Sequence, residues 1–300
     1  MPLVAFGELM TEAARGHYAV GYFESWNLES LMAVADAAEA THSPVLLGFS
    51  GIYLPHPERV VREPLSAYAA MGLEICRSLS VPSALVFNES PHLEPVLEAI
   101  DLGFGLVMFS DENLDLTSQT SRVAQVVKAA HRQRVAVEGE VAALPGIGGG
   151  LAEAVEEEMH LTDLDSARDF LDQTGVDALA VNVGQVHLHG RREVGLDLAH
   201  LEALNRALPV PLVLHGATSV RRQDLVEAIQ LGVCKINVGS LLKQVYLQAL
   251  RRACAAVEEP SSNPYEVVGS GLAADVLIPG RLAVQHAVEE LMVLFGSAGK

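Results

Sequence analysis

The sequence predicts an α/β fold, a (β/α)8 TIM barrel with one additional C-terminal helix, on three observations. Eight short, mostly continuous apolar runs are spread along 300 residues, the pattern of strands covered on both faces. Amphipathic stretches with helical spacing fill the intervals, as a parallel sheet requires. Two of the runs close on a histidine, His187 and His215, and in a closed parallel barrel the strand C-termini converge on one face. A doubly wound sheet usually needs fewer strands and gives no reason for eight evenly spread units.

In chain order, strands are predicted at 18–23, 45–49, 83–87, 106–110, 135–140, 178–183, 211–215 and 234–238. Helices are predicted at 27–40 behind an Asn27 cap, 117–133, 165–174 behind Asp165, 196–208, 221–231 ending at Gly232, and 240–257, each from its apolar periodicity and its end signals. Residues 141–164 break the rhythm with a glycine-rich start followed by an acidic stretch. A long βα loop on the C-terminal face is expected to be a functional flap. Residues 258–270 read as a hinge before a last helix near 280–295, which has no strand to pair with and is expected on the outside or against a second subunit. Residues 1–300 are expected to form one domain, since α/β barrels commonly use this length as a unit.

Half of the residues are hydrophobic and 19% are charged, enough apolar material for a large core and too much for global disorder. The formal charge of −18 argues against nucleic acid or an anionic membrane as partner. It permits a phosphorylated small molecule, provided that backbone amides or a metal supply the local positive potential. Cys76, Cys234 and Cys254 form no CxxC pair, the usage of a reducing compartment and of small buried residues. The N-terminus has no basic region ahead of an apolar run, and nothing reaches the length of a membrane span. A cytoplasmic location is expected.

His187 and His215 stand at neighbouring strand ends, beside Gly216 and the strand and turn Lys235–Ser240. Two imidazoles next to a loop of glycine, hydroxyl and amide groups suggest a divalent metal beside an anion cradle. Glycine lets backbone approach a ligand, and Ser240 would stand at a helix N-terminus, where amides favour an anion. With only four lysines in the chain, the cradle is expected to work without one.

At residues 212–219 and 235–240 the chain resembles the class II, zinc-dependent ketose-bisphosphate aldolases. The family pattern there is His-Gly-Ala-Ser-Gly followed by an Asn-Val-(Ala/Asp)-Thr turn, and the spacing is kept. The likeness extends through Gly21–Phe23 and Asn27–Glu29, through Glu138–Glu140 for a Glu-X-Glu strand, and through Gly184–His187 for Gly-Thr-Ala-His. The resemblance implies three histidines on a metal that polarises the ketone and stabilises an enediolate, an Asp beside the first of them as acid/base, a phosphorylated substrate, and a homodimer or homotetramer.

Carried over residue by residue, His187 and His215 match two ligands. The family's Asp-His pair falls on Asn88 and Glu89. Asn88 is an amide that cannot exchange a proton at neutral pH. Three readings of the metal stay open: Glu89 completes a His2Glu site for zinc, or for manganese or iron with a harder ligand; His92 swings in instead; or the metal has been lost. Glu140 matches a second carboxylate, with pairing to Lys235 or an arginine as its structural alternative, and Glu140, a metal-bound water or a flap carboxylate such as Glu153 or Glu156 is left to move protons. Ser50, Gly184, Gly216, Thr218, Asn237, Gly239 and Ser240 resemble the phosphate-gripping loops. Glu24 and Ser110 replace the family's usual Asn and Asp. The expectation is an aldolase-type carbon–carbon lyase with altered acid/base residues and a non-standard substrate, about one divalent metal per chain, or else a silent sugar-phosphate sensor derived from one.

Overall fold

A computed structural model describes residues 2–141, 161–185, 193–257 and 262–300. Eight parallel strands close into a barrel in sequence order. They are β1 (Val20–Ser25), β2 (Val45–Ser50), β3 (Ser83–Ser90), β4 (Leu106–Phe109), β5 (Ala136–Glu140), β6 (Ala178–Ala180), β7 (Leu212–Leu214) and β8 (Val233–Val238), the last pairing back onto β1. All eight predicted strands are present. β6 is shorter than expected because the amides of Asn182 and Val183 donate to Thr162 Oγ1 and Gln185 Oε1, at 2.7 and 2.9 Å, in place of a neighbouring strand.

Alternation along the strands separates two layers. Inward side chains, among them Val20, Tyr22, Leu46, Ala84, Val86, Leu106, Ala178 and Val213, pack with Phe6, Leu9, Met10 and Ala13. Those four lie on one face of α1 (Phe6–Gly16), a helix that the sequence reading did not single out. It plugs the N-terminal end of the barrel. Outward side chains such as Phe23, Leu47, Leu85, Val107 and Ile236 pack beneath the helices.

The surrounding helices are α2 (Leu28–Thr41), α3 (Leu65–Ser78), α4 (Leu93–Asp101), α5 (Leu116–Ala130), α6 (Leu164–Thr174), α7 (Leu198–Ala207), α8 (Arg222–Gln230) and α9 (Ser240–Ala255). Asn27 caps α2 as expected, in a reciprocal box with Ser30. The cap of α6 is Asp163, not Asp165: only Asp163 stands three residues before Ser166, whose amide it accepts at 2.8 Å. Asp165 falls in the first turn of the helix. The expectation of three buried cysteines is corrected at Cys254, which is exposed on α9. No helix among the described residues is long and apolar enough to cross a membrane.

The additional C-terminal helix, α11 (Ile278–Leu294), follows the short α10 (Pro264–Val267) and lies in the groove between α2 and α9. Arg281 pairs with Asp36 of α2 at 2.5 Å. Phe295, just past the helix, is fully buried and stacks on Phe23 of β1 with ring centroids 6.3 Å apart. The helix is thus part of the wall that holds β1. Phe295→Ala is expected to cost about 3–5 kcal/mol of stability, the usual range for truncating a buried aromatic ring, measured as a lowered urea midpoint. A loss below about 1 kcal/mol would mean that α11 is a peripheral attachment.

Candidate active site

Carried two or four residues further, the inward face of the strands turns polar at the C-terminal mouth. Glu24, Ser50, Asn88, Ser110, Glu140, Asn182, His215 and Asn237 continue the inward columns of β1 to β8. A cavity of about 550 Å³ opens there, with Glu24, Asn88, Glu89, His215 and Asn237 in its walls together with Gly216, Thr218, Gly239, Ser240 and Lys243.

Two irregularities put additional side chains on this face. Between Phe87 and Ser90 the register of β3 against β4 slips by one residue, so β3 carries a bulge at Asn88 and Glu89. Glu89 adopts a positive φ of 52°, uncommon for a residue with a Cβ and often found where a site needs it. Consecutive side chains that would point to opposite faces therefore both reach the mouth, and Asn88 Nδ2 donates to Glu89 Oε2 at 2.6 Å. A second slip, between Leu212 and Val213 on β7, makes Cys234 the extra residue of β8. Bulges of this kind re-aim side chains beside functional sites.

His215 is buried between two carboxylates. Its Nδ1 lies 2.9 Å from Glu89 Oε1 and its Nε2 lies 2.7 Å from Glu138 Oε1. The second oxygen of Glu138 is 2.7 Å from Lys235 Nζ, and neither Glu138 nor Lys235 has any exposure. Lys235 also donates to Asn237 Oδ1 at 2.5 Å, and Asn237 Nδ2 donates to Asn88 Oδ1 at 3.3 Å. The network thus runs from β8 through β5 and β7 to β3. At the cavity rim Lys243, in the first turn of α9, is ion-paired with Glu24. Its Nζ stands 5.7 and 5.3 Å from the ring centroids of Trp26 and Tyr53.

The charges follow from this geometry. Burial alone would strip His215 of its proton, but Glu89 and Glu138 against its two nitrogens raise its pKa to about 10. Burial works against the charge of Glu138 as well, yet Lys235 and His215 hold it below the usual carboxylate range. Glu140 has no such cation: burial pushes it up to about 7, His215 pulls the other way, and the nearby charge of Glu89 adds to the rise. It accepts a hydrogen bond from Ser110.

Of the residues anticipated from sequence, Ser50, Asn88, Glu89, His215, Gly216, Thr218, Asn237, Gly239 and Ser240 all meet around the cavity. Gly216 has a left-handed φ of 66°, which favours glycine, and Ser240 opens α9 as expected. Glu140 and Gly184 sit at the ends of their strands without joining the described wall. Glu140 is not paired with Lys235, because Glu138, one inward position deeper on β5, takes that lysine. Glu89, not His92, faces His215: His92 is the residue before α4 and no part of the cavity wall. His187, Glu153 and Glu156 lie outside the described residues. A lysine does stand in the cradle, Lys243, one helical turn beyond Ser240. It and Lys235 are the functional groups that sequence reasoning missed as such, although extending the inward period of β8 would have found Lys235.

Among the described residues no three His, Cys, Asp or Glu side chains are grouped so as to hold a metal. Two donors are nevertheless arranged as such a site requires. Glu138 fixes one ring nitrogen of His215 in the manner of an outer-shell carboxylate, and the other nitrogen faces a second carboxylate, Glu89. The donor chemistry of the two fits a divalent ion.

Residues 4–300 match the family described as fructose-bisphosphate aldolase class-II. The fructose-bisphosphate aldolase of Streptococcus pyogenes serotype M3 is 34% identical, with all of both chains covered. That of Geobacillus stearothermophilus is 33% identical over all of this chain and 99% of the relative. Among solved structures, the YdjI aldolase from Escherichia coli K12 is 26% identical with a TM-score of 0.78, covering 99% of this chain and 98% of the other. A putative fructose-1,6-bisphosphate aldolase from Coccidioides immitis gives 0.81 at 26% identity, over 97% of this chain and 96% of the other.

In metal-free protein, His215 is expected to remain doubly protonated at pH 7.5 by ¹⁵N NMR of its ring and to titrate near pH 10. Because its folded pKa is raised, the stability it contributes is fully present below its unfolded value of about 6.5. That stability is lost as pH rises through about 10. Urea titrations between pH 6 and 10 should show this loss in wild type and a smaller one in His215→Gln. A neutral ring at pH 7.5 would overturn the charge assignment.

Proposed function

The chain belongs to the class II fructose-bisphosphate aldolase family, and from that premise we propose a divalent-metal-dependent aldolase-type carbon–carbon lyase that acts on a ketose phosphate or related phosphorylated molecule other than fructose 1,6-bisphosphate. The observation that carries the reading is His215, set between Glu89 and Glu138 in the wall of a cavity that Gly216, Thr218, Gly239 and Ser240 also line.

His187, His215 and Glu89 would hold the metal, zinc or else manganese or iron, about one per chain. When bound, such an ion supplies Lewis-acid polarisation of a carbonyl. The residues of the chain do the rest. Glu138 orients the His215 ring, and Lys235 keeps Glu138 ionised at a position with no water. Asn88 holds Glu89 through its amide, which makes Asn88 a positioning residue. The backbone of Gly216 and Gly239, with the hydroxyls of Thr218 and Ser240, would grip the phosphate at the head of α9. Ser50 and Asn237 complete that wall, and Gly184 lies behind it.

Cleavage of a β-hydroxy ketone removes the hydroxyl proton as the C–C bond breaks and its electron pair passes toward the carbonyl. Asn88 cannot take that proton. Glu140, with a pKa of about 7, has the proton affinity suited to a general base at neutral pH, and we assign it that role for a substrate whose reacting hydroxyl reaches the end of β5 and gives its proton to the Glu140 carboxylate directly. Residues 1–300 would act as one unit in a homodimer or homotetramer, for which Tyr265, Val268, Leu272 and Leu282, exposed in the C-terminal segment, offer apolar surface. The three free thiols fit a cytoplasmic enzyme. The engagement of both His215 nitrogens, together with the amide at 88, favours one second reading, a sugar-phosphate sensor without turnover.

Elemental analysis of the protein purified from metal-supplemented medium is expected to give about one zinc, manganese or iron per chain. His215→Ala or Glu89→Ala should lower retention by about 10- to 100-fold or more. A wild type that takes up none of the three ions would leave the sensor reading.

Retro-aldol assays over a panel of ketose phosphates should show weak cleavage of fructose 1,6-bisphosphate, and Asn88→Asp should raise it, since a missing acid/base typically costs about 10²–10⁴-fold. On the best substrate the rate should rise with pH through about 7, as Glu140 loses its proton. Glu140→Gln should abolish that limb. A limb unchanged in Glu140→Gln would move the general base elsewhere.

A further inference from the structure

The carboxylate of Glu24 stands where the proposed cradle would receive charge. Glu24 follows Tyr22 on the inward face of β1 and reaches the cavity wall beside Gly239, Ser240 and Lys243. A Cβ on Gly239 would lie 2.4 Å from Glu24 Oε2, so the carboxylate fills the space that any larger residue at 239 would need. The φ of −129° at Gly239 lies outside the region that favours glycine. A larger residue at 239 would make the Glu24 carboxylate swing away from its present place. The same carboxylate is paired with Lys243 on the first turn of α9. The lysine at the head of α9 thus already faces an anion that belongs to the protein.

We propose that Glu24 is a specificity-determining residue that competes with ligand anions for Lys243 at the head of α9, so that the cradle holds a phosphate dianion less tightly than its backbone, hydroxyls and lysine would without that carboxylate. A dianion in this cavity would meet the Glu24 carboxylate at short range and would have to share or displace Lys243. Glu24 is only partly exposed, so such like-charge contact is less screened than in bulk water and is unfavourable. Sugar hydroxyls and singly charged groups escape most of that penalty and can donate hydrogen bonds to Glu24. Burial shifts Glu24 toward its protonated form and Lys243 opposes the shift, which is consistent with a carboxylate retained for its position rather than for its solvation.

The inference rests on the reading of the cavity as a phosphate cradle, and calorimetry with inorganic phosphate, dihydroxyacetone phosphate and unphosphorylated dihydroxyacetone separates the two. The proteins compared are wild type, Glu24→Gln, Glu24→Asn and Lys243→Gln, each shown to be folded by circular dichroism. Removing the carboxylate charge is expected to tighten phosphate and dihydroxyacetone phosphate binding by about tenfold or more, while dihydroxyacetone binding stays level or weakens. Lys243→Gln should weaken both phosphates by a similar factor. Measurable wild-type binding that neither Glu24 variant improves would overturn the inference and leave the cradle standing. No phosphate binding by wild type or by either Glu24 variant would overturn the cradle and the inference together.

Discussion

The mouth of this barrel is organised around an ion pair with no access to water. Lys235 and Glu138 are both fully buried at 2.7 Å, and two charges held in that way persist only when each remaining polar atom is also satisfied. Glu138 meets the requirement by turning its other oxygen to His215, and Lys235 by donating to Asn237. The imidazole is thereby fixed in direction. Its free side can face only Glu89, which Asn88 in turn holds. Four strands, β3, β5, β7 and β8, are tied at their C-terminal ends by this one chain of contacts, so the geometry around His215 is inherited from the lysine beneath it.

Strand geometry alone would not deliver these groups. A strict period of two gives one inward residue per pair, enough for a layer of eight polar side chains and for Lys235 beneath Asn237, but not for Glu89 beside Asn88 or for an inward Cys234 directly before Lys235. The two bulges supply the difference. At the first, the positive φ of Glu89 costs conformational energy, and the contacts that over-determine it are those to Asn88 and His215. Local strain and the buried network therefore support each other.

This division also explains what was legible in the sequence. Apolar runs and helical spacing depend on neighbours within one segment, and the eight strands and the helix at Ser240 could be read directly. The role of α1 was overlooked although Phe6, Leu9, Met10 and Ala13 carry its helical spacing, because a helix ahead of the first strand has no place in the βα repeat. The partner of Lys235 could not be chosen between Glu138 and Glu140, because the choice depends on how deep each side chain lies across the barrel interior, a property of register and not of spacing. The bulge at Asn88 and Glu89 depends on β4 running one residue short opposite it, and no local pattern in residues 83–90 announces that. Lys243 lay in plain view on the first turn of α9. An acidic chain with few lysines suggested a cradle without one.

The mouth carries nearly matched charge. Glu24, Glu89 and Glu138 stand against Lys243, the doubly protonated ring of His215 and Lys235, while Glu140, near 7, is only partly ionised at neutral pH. A phosphate dianion entering such a site alone would leave it strongly negative. A divalent cation entering alone would have to expel the proton from His215, which metal ligation requires in any case. Together they come closer to balance than the dianion alone: the ion offsets the dianion, and only the proton released from His215 leaves a negative charge behind. Binding free energies at two places in one site are reciprocal, so whatever affinity the cation gains from the anion, the anion gains equally from the cation. An overall charge of −18 is therefore no obstacle to a phosphorylated ligand. It makes the affinity for that ligand depend on the metal that would accompany it.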